Sequence, residues 1–354
     1  MNSKKRERSI ETIAGQNEDL SSLNYLIGIG RSGSTLLSTM LNAIPEVKAI
    51  PEIPITVFFA KHYKTLNGKS IELEKFAQIY LSIYQKVRPL DLVNLNSNSL
   101  NFESVSYVNY HGFLSAVFEQ FSVAEKSGKT KIVVDKNPYY SFHYKLLKTL
   151  SPNPKFVVLV RDYRANVLSR KAKSLNKPSS VVYNAFRWRI FHRKLIRFQG
   201  NEDCLVTRYE DLVKKQEIEL RRISNFLNIV FDKQAFQDRL VSGVSDSIED
   251  QRTKEFANVH FKGLAEPVYE DRIHAWKTGL TDKEIKISEQ ICGKIGLLYG
   301  YDLTKKYRNL YVWIVLRYFW FYMRAMYSIY KEYLIYYMPI KLKLKRLQKV
   351  TGLW

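Results

Sequence analysis

The chain has 354 residues, of which 45% are hydrophobic and 25% charged, and its formal net charge is +22. A chain of this length and composition can bury a large core, as expected of one enzyme domain with tails. Its two cysteines, Cys204 and Cys292, are far apart and lack metal-ligand spacing. This usage argues against a disulfide scaffold and favours a reducing compartment and no structural metal.

Composition and pattern divide the chain into three parts. Residues 1–23 form a basic polar tail, residues 24–304 alternate strand and helix patterns, and residues 305–354 form a basic aromatic extension. The tail has no apolar core of the kind that a secretory signal requires. We therefore expect a cytoplasmic α/β enzyme, with a helical extension that reaches the cytoplasmic face of a membrane.

A glycine-rich loop follows the first apolar run, Tyr25 to Ile29, and it reads Gly28-Ile-Gly-Arg-Ser-Gly33-Ser-Thr35. Its glycines permit close backbone approach, and the helix predicted to start at Ser34 directs free N–H groups at an anion. The loop satisfies the dinucleotide pattern G-x-G-x-x-G and has the glycine spacing of a Walker A loop, without its lysine. Alone, it leaves an NAD-type oxidoreductase, a P-loop kinase and a third kind of phosphate-binding enzyme open.

Two later stretches predict strands that are buried in a parallel sheet and end in charge. One is Lys131-Ile-Val-Val-Asp-Lys136-Asn-Pro138, and the other is the run Lys155 to Val160 followed by Arg161. Ser169 follows Arg161 by eight residues, about two helical turns, so both could face one ligand group. The simpler alternative makes Arg161 and Asp162 a surface ion pair.

The carboxyl ends of parallel strands share one edge of a sheet, where open α/β proteins bind ligands. Arg31, Lys136 and Arg161 are all predicted to lie at that edge. Three cations at one place indicate a polyanionic ligand.

Taken together, the three motifs resemble those of the sulfotransferase superfamily, whose sulfuryl donor is adenosine 3′-phosphate 5′-phosphosulfate (PAPS). The pattern is most similar to the tyrosylprotein and other Golgi-type branches, and it covers roughly residues 24–302. The resemblance implies a three-layer, P-loop-like α/β fold with a parallel β-sheet flanked by helices. It also implies PAPS as co-substrate, adenosine 3′,5′-bisphosphate (PAP) as product, and no metal.

The resemblance assigns donor-binding roles to individual residues. Those of the first motif that would bind the 5′-phosphosulfate are Arg31, Ser32, Gly33, Ser34 and Thr35. Arg161 and Ser169 would bind the 3′-phosphate. Tyr209 matches a position that contacts the donor adenine, although sheet packing is an equal alternative.

Catalytic roles follow from the same resemblance. Glu52 has the spacing from Arg31 that the tyrosylprotein branch uses for its general base, while Arg31 and Lys136 would neutralise the leaving group. A surface acid in a proline-bracketed loop is the alternative for Glu52. His111 is the rival base, but a lone histidine among aromatic residues is more often a packed core residue.

The acceptor is predicted only by class. Aromatic residues between positions 56 and 121 weakly favour the hydroxyl of a lipid, sterol or other hydrophobic small molecule. A carbohydrate or peptide-tyrosine acceptor remains the alternative. The competing enzyme classes stay open too, although an oxidoreductase would leave Arg161 and Ser169 unexplained, and a kinase would lack the Walker lysine.

The last fifty residues account for much of the positive charge. Residues 305–354 contain eleven Lys and Arg and one acid, Glu332. Arg317, Arg324 and Lys331 recur every seven residues in an aromatic segment, so residues 310–349 predict an in-plane helix on an anionic membrane. Packing on the enzyme domain, or a homodimer interface, is the alternative. No nucleic-acid-binding motif occurs, so no specific nucleic-acid partner is expected.

Overall fold

The computed structural model describes residues 22–50, 52, 55–65, 75, 77–80, 109–119, 130–173, 180–237, 271–305 and 311–350. The strands are β1 Ser22–Ile27, β2 Val47–Ile50, β3 Ile132–Lys136, β4 Phe156–Val160 and β5 Cys204–Arg208. The helices are α1 Ser34–Asn42, α2 Ile55–Thr65, α3 Tyr110–Glu119, α4 Tyr144–Leu147, α5 Tyr163–Lys173, α6 Val181–Leu195, α7 Tyr209–Lys214, α8 Gln216–Leu227, α9 Asp271–His274, α10 Trp276–Gly279, α11 Asp282–Leu298, α12 Tyr311–Arg317, α13 Phe319–Ile335 and α14 Ile340–Val350. Short 3₁₀ helices span Pro138–Phe142 and Ile196–Phe198.

The five strands form one parallel sheet in the order β2-β3-β1-β4-β5. The three strands predicted from apolar runs are present as β1, β3 and β4, which confirms the predicted parallel α/β architecture. Strand β2 has only four residues and includes Lys48, and β5 includes Thr207 and Arg208, so their hydrophobic signal in the sequence is weaker.

Alternation along the central strands supplies a core on each face of the sheet. Val157 and Leu159 pack with the residues of α1 and α8 on one face. Phe156, Val158 and Val160 point to the other face, where α6 and α11 lie. Because successive strand side chains alternate in direction, one continuous apolar run serves two cores, which produces the three-layer arrangement.

The chain leaves β1 in one direction to build β2 and β3, and it then crosses to the other side of β1 to build β4 and β5. The loops after β1 and β4 therefore diverge at the carboxyl edge of the sheet. Such a switch point leaves a crevice that is the usual ligand site of an open α/β sheet. The glycine-rich loop follows β1 directly, and so it lies at this crevice.

The C-terminal extension forms three helices rather than the single in-plane helix expected from the sequence. A turn at Tyr318 separates α12 from α13, and α13 packs on α6 and on the 3₁₀ helix Pro138–Phe142. The inner face of the extension is buried in the domain core by Ile314, Ala325, Ile329, Tyr336, Ile340 and Leu344. The alternative of packing on the enzyme domain is thus correct for this face. No helix in the described part of the chain is both long enough and apolar enough to cross a bilayer.

Candidate functional site

The glycine-rich loop turns sharply between β1 and α1. Arg31 has φ of 75° and Gly33 has φ of 91°, both in the left-handed region. Gly33 is the N-cap of α1 and provides no side-chain hydrogen bond to the first helical turn. The first backbone N–H groups of α1 are therefore left without a capping side chain, as an anion-binding helix start requires.

Gly33 also lies against an aromatic ring. A Cβ atom on this residue would overlap the Cδ2 and Cε2 atoms of Tyr209. Tyr209 is buried at the start of α7, and its ring centre lies 4.3 Å from the guanidinium carbon of Arg161. The residue therefore packs in the fold and borders the loop at once, so both predicted roles of Tyr209 fit its position.

Arg31, Arg161 and Ser169 lie together in the structure, although the sequence grouped Ser169 with Arg161 alone. The Nε atom of Arg31 donates to Oγ of Ser169 at 3.1 Å, and Nη1 of Arg161 donates to the carbonyl of Arg31 at 3.2 Å. Nη2 of Arg161 donates to the carbonyl of Arg272 at 3.0 Å. Loss of solvation, followed by repulsion from Arg161 and Arg272, lowers the pKa of Arg31. Guanidinium groups this close repel one another, and a bound anion offsets that repulsion. The cluster is therefore suited to bind an anion.

Unused hydrogen-bonding capacity remains at this cluster. Within the described residues, the Nε atom of Arg161 and the Oγ atom of Ser32 are buried and have no hydrogen-bond partner. Buried polar groups in native proteins are normally paired, so each such atom calls for an explanation. A polyanion held at the loop gives Arg161 Nε a partner, and the donor set therefore fits a bisphosphate nucleotide.

Asp162 does not pair with Arg161, and the predicted alternative of a surface ion pair is wrong. Its carboxylate is buried and accepts from Arg164, with the closest contact 2.7 Å from Nη2. Arg164 also donates to Glu289 at 2.8 Å and stacks on Trp276 at 4.0 Å. This buried network fixes the turn after β4 and leaves the Arg161 side chain to the ligand crevice.

Lys136 ends β3 beside the loop. Its Nζ atom donates to Oγ1 of Thr35 at 3.2 Å. Thr35 is in the first turn of α1, so the lysine ammonium group lies at the N-terminus of that helix. The contacts thus divide the predicted cations into two groups, one of Arg31 and Arg161 near Ser169 and one of Lys136 near Thr35.

Asp135 is fully buried next to Lys136 and connects the sheet to α2. One carboxylate oxygen accepts from Oγ1 of Thr56 at 2.5 Å and from Oη of Tyr140 at 2.7 Å. Burial raises the pKa of Asp135 to about 7, although these two hydrogen bonds act in the opposite direction. Sequence reasoning assigned this residue no role.

Both ends of the segment that carries Glu52 are tied to Asp135. Ile50 is the register partner of Asp135 in the β2–β3 ladder, and Thr56 donates to its carboxylate. Glu52 is a half-buried bend residue between these two attachments. Glu52 follows the end of β2 by only two residues, so it lies at the carboxyl edge of the sheet, the edge at which Lys136 ends β3.

His111 lies in α3 and is buried with its Nδ1 atom unpaired among the described residues. Burial lowers the pKa of its imidazole. Its neighbours in α3, Phe113, Leu114, Val117 and Phe118, are all core residues. This is the packed environment that the sequence favoured for His111.

Two further residues contact the loop, and a third, Arg272, contacts Arg161; none of the three was singled out from the sequence. Asn166 and Arg170 both donate to the carbonyl of Gly30, at 3.2 and 2.8 Å. They are four residues apart on α5, so they share the helix face that carries the site. That spacing was a usable signal, whereas nothing in the sequence around Arg272 indicated its approach to Arg161.

The comparisons with known proteins bear on this site. Residues 25–233 match the family described as "Sulfotransferase family". The chain belongs to the sulfotransferase family. The match spans β1 to the residues after α8 and so contains the loop, Glu52, Lys136, Arg161, Ser169 and Tyr209. Family membership confirms the predicted sulfotransferase activity and the predicted donor PAPS.

Individual relatives are distant. Protein-tyrosine sulfotransferase A of Caenorhabditis elegans is 23% identical over 78% of this chain and 67% of its own length. A Caenorhabditis briggsae protein named as a candidate protein-tyrosine sulfotransferase is 26% identical over 65% of this chain and 73% of its own length. Among solved structures, the sulfotransferase domain of a Synechococcus olefin synthase has 20% identity and a TM-score of 0.48, over 80% of this chain and 97% of that domain.

Proposed function

We propose that this sulfotransferase holds PAPS across the crevice between the β1 loop and the β4–α5 turn, and that Glu52 receives the proton of the acceptor hydroxyl. The observation that carries the proposal is the joining of Arg31, Arg161 and Ser169, from distant parts of the chain, beside the uncapped start of α1. Phosphate groups are the ligands that such donors accommodate.

The contacts support a division of labour within the donor site. Arg161 and Ser169 hold the 3′-phosphate, with the guanidinium of Arg31 beside them. The N–H groups of Gly33, Ser34 and Thr35, together with the hydroxyl groups of Ser34 and Thr35, hold the 5′ end. The Tyr209 ring, which already borders Gly33 and Arg161, supports the adenine.

Transfer requires a base for one proton and a cation for one developing charge. As the acceptor oxygen bonds to sulfur, its proton passes to the carboxylate of Glu52. The bond between sulfur and the 5′-phosphate oxygen breaks, and the ammonium group of Lys136 offsets the negative charge on that oxygen. Glu52 and Lys136 suit these roles because Lys136 ends β3 and Glu52 follows the end of the neighbouring strand β2 by two residues, at the same edge of the sheet.

Two acceptor classes have separate support. The names of the relatives favour the phenolic hydroxyl of a peptide tyrosine. The apolar outer surface of the C-terminal helices favours the hydroxyl of a lipid or sterol. Of the aromatic residues between positions 56 and 121 that suggest a hydrophobic acceptor, Phe58, Phe59, Tyr80, Phe113 and Phe118 are buried in the core. These five residues therefore give little support to a hydrophobic acceptor.

Donor binding tests the first part of the proposal. PAP should raise the thermal unfolding midpoint in proportion to the logarithm of its concentration, because a ligand that binds only the folded state stabilises it. NAD, and ATP with magnesium, should shift the midpoint far less at equal concentration. A larger shift with NAD or ATP would overturn the assignment of the crevice to PAPS.

Transfer of labelled sulfate from PAPS tests the acceptor. The acceptors to be compared are a tyrosine-containing peptide, a sterol in vesicles, a long-chain alcohol and an oligosaccharide, with Glu52→Gln protein as the matched control. Label on one class identifies the acceptor. If the protein binds PAP but labels none of these compounds, the proposed acceptors are wrong, while the proposed donor site is unaffected.

A further inference from the structure

The C-terminal helices have an outer apolar face as well as the inner face buried in the domain. Trp313 and Leu316 on α12 are 70% and 61% exposed, and Trp320 on α13 is 82% exposed. Within α13, exposed apolar residues recur after three, four and seven positions, at Met323, Tyr327 and Leu334. Residues at this spacing lie along one side of a helix. We call this set, Trp313, Leu316, Trp320, Met323, Tyr327 and Leu334, the outer stripe.

Packing against the enzyme domain does not account for the outer stripe. Ala325 and Ile329, both fully buried, form the side of α13 that packs on the domain. Ile340 and Leu344 of α14 extend this buried surface. The helices thus hold two apolar surfaces on one short segment. Large exposed apolar patches of this kind mark interaction surfaces.

Charge decides which partner fits the outer stripe. Arg317 and Arg324 are exposed on the same two helices, and Lys341 and Lys345 are exposed on α14. The sequence from 311 to 350 contains a single acid, Glu332. A surface that combines exposed tryptophan with lysine and arginine matches the boundary of an anionic bilayer, where aromatic rings enter the head-group region and cations meet lipid phosphate.

A second copy of the chain fits less well. In a two-fold symmetric dimer the same patch meets itself, so Arg317 and Arg324 of one copy would approach those of the other. Facing like charges oppose association, and residues 311–350 contain eight Lys and Arg against the single acid Glu332.

We propose that the outer stripe and its flanking cations bind the surface of an anionic phospholipid bilayer, with α12 and α13 lying in the plane of the interface. The extension then holds the enzyme domain on the membrane through its inner face. This inference does not depend on the identity of the acceptor.

Vesicle flotation of the full chain tests the proposal. The protein should float with vesicles of phosphatidylglycerol mixed with phosphatidylcholine and remain unbound with phosphatidylcholine alone. The bound fraction should fall as salt rises, because the lipid charge is screened. Failure to float with the anionic vesicles, or equal binding to the neutral ones, overturns the proposal.

Paired variants separate the apolar and the charged contributions. W313S with W320S should reduce the partition coefficient about tenfold or more, and K341E with K345E should reduce it on a similar scale. V230S removes an apolar residue that is 83% exposed outside the outer stripe, and K283E with K286E changes exposed lysines of α11; both should bind like the wild type.

Two measurements keep these variants informative. The unfolding midpoint and PAP affinity should be unchanged in all four, because each altered side chain is exposed and lies outside the donor site.

Sedimentation velocity without lipid tests whether a second copy of the chain covers the outer stripe instead. If the wild type is a dimer that W313S with W320S converts to a monomer, the outer stripe is a subunit interface and the proposal is wrong. Wild-type flotation by W313S with W320S would also overturn it.

Discussion

The guanidinium of Arg31 donates from Nε to Oγ of Ser169 at 3.1 Å, across 138 residues of sequence. This bond joins the loop after β1 to helix α5, which follows β4. Arg161 adds a second hydrogen bond between the two segments by donating to the carbonyl of Arg31. The glycine-rich loop and the Arg161–Ser169 motif therefore form one site, and variants on either side should affect the same ligand.

Arg161→Ala should weaken PAP binding by about one to two orders of magnitude, since a hydrogen bond to a charged group contributes about 1.5–3 kcal/mol. Binding of adenosine 5′-monophosphate, which lacks the 3′-phosphate, should change little. Calorimetric titration of both nucleotides measures the difference. Arg193→Ala, on an exposed arginine of α6, is the control. Equal losses for the two nucleotides would remove Arg161 from the 3′-phosphate.

Arg31→Ala distinguishes two roles for this side chain. Its contact with Ser169 leads us to expect the same selective loss of PAP affinity that Arg161→Ala shows. If Arg31 instead acts at the transferred group, kcat should fall while the ratio of PAP to monophosphate affinity stays at the wild-type value. Titration and steady-state kinetics on one preparation separate the two outcomes.

Gly33→Ala should destabilise the fold and weaken PAP binding, because the added methyl group meets the Tyr209 ring at a residue with φ of 91°. Gly200→Ala is a matched control, since φ there is 86° but nothing lies within 4 Å of the added atom. We expect Gly33→Ala to lower the free energy of unfolding by about 1–3 kcal/mol more than the control does. Urea unfolding measures this, and equal losses would show that Tyr209 moves away freely.

Glu52→Gln should retain PAP affinity and lower kcat by about two to four orders of magnitude, because general base catalysis contributes on that scale. Glu46→Gln changes a carboxylate that pairs with Lys131 and serves as the control. Turnover is measured with labelled PAPS and the identified acceptor. A Glu52→Gln enzyme with wild-type kcat would assign the proton to another group, and His111→Ala would then be the next variant to measure.

Asp135 should make stability depend on pH. Its pKa is about 7 in the folded protein, above the ordinary carboxyl value of 3.8, so the folded state holds the proton more tightly than the unfolded chain does. The free energy of unfolding should therefore fall as pH rises from about 4 to about 7, relative to Asp135→Asn, which cannot titrate. Urea unfolding across this range measures the difference. Asp302→Asn, at an exposed carboxylate, is the control.

The sequence by itself determined the architecture and brought together most of the residues of the proposed donor site. Continuous apolar runs at 25–29, 132–134 and 156–160 predict buried parallel strands, because both faces of such a strand are covered. Residues that directly follow those strands must lie at one edge of the sheet, which placed Arg31, Lys136 and Arg161 together. Local pattern is sufficient where a strand end and its loop are contiguous in the chain.

The tertiary structure alone decided the contacts between distant segments. Only the folded chain shows that Asp162 pairs with Arg164 rather than with Arg161, and that Asp135 ties Thr56 to the sheet. It alone shows that the C-terminal helices bury one apolar face and expose another. Periodicity reveals that a helix has apolar residues, but it does not reveal which of them meet the domain. Which residues meet the domain depends on the positions of the other helices, and which buried charges pair depends on the same positions. Local spacing in the sequence encodes neither.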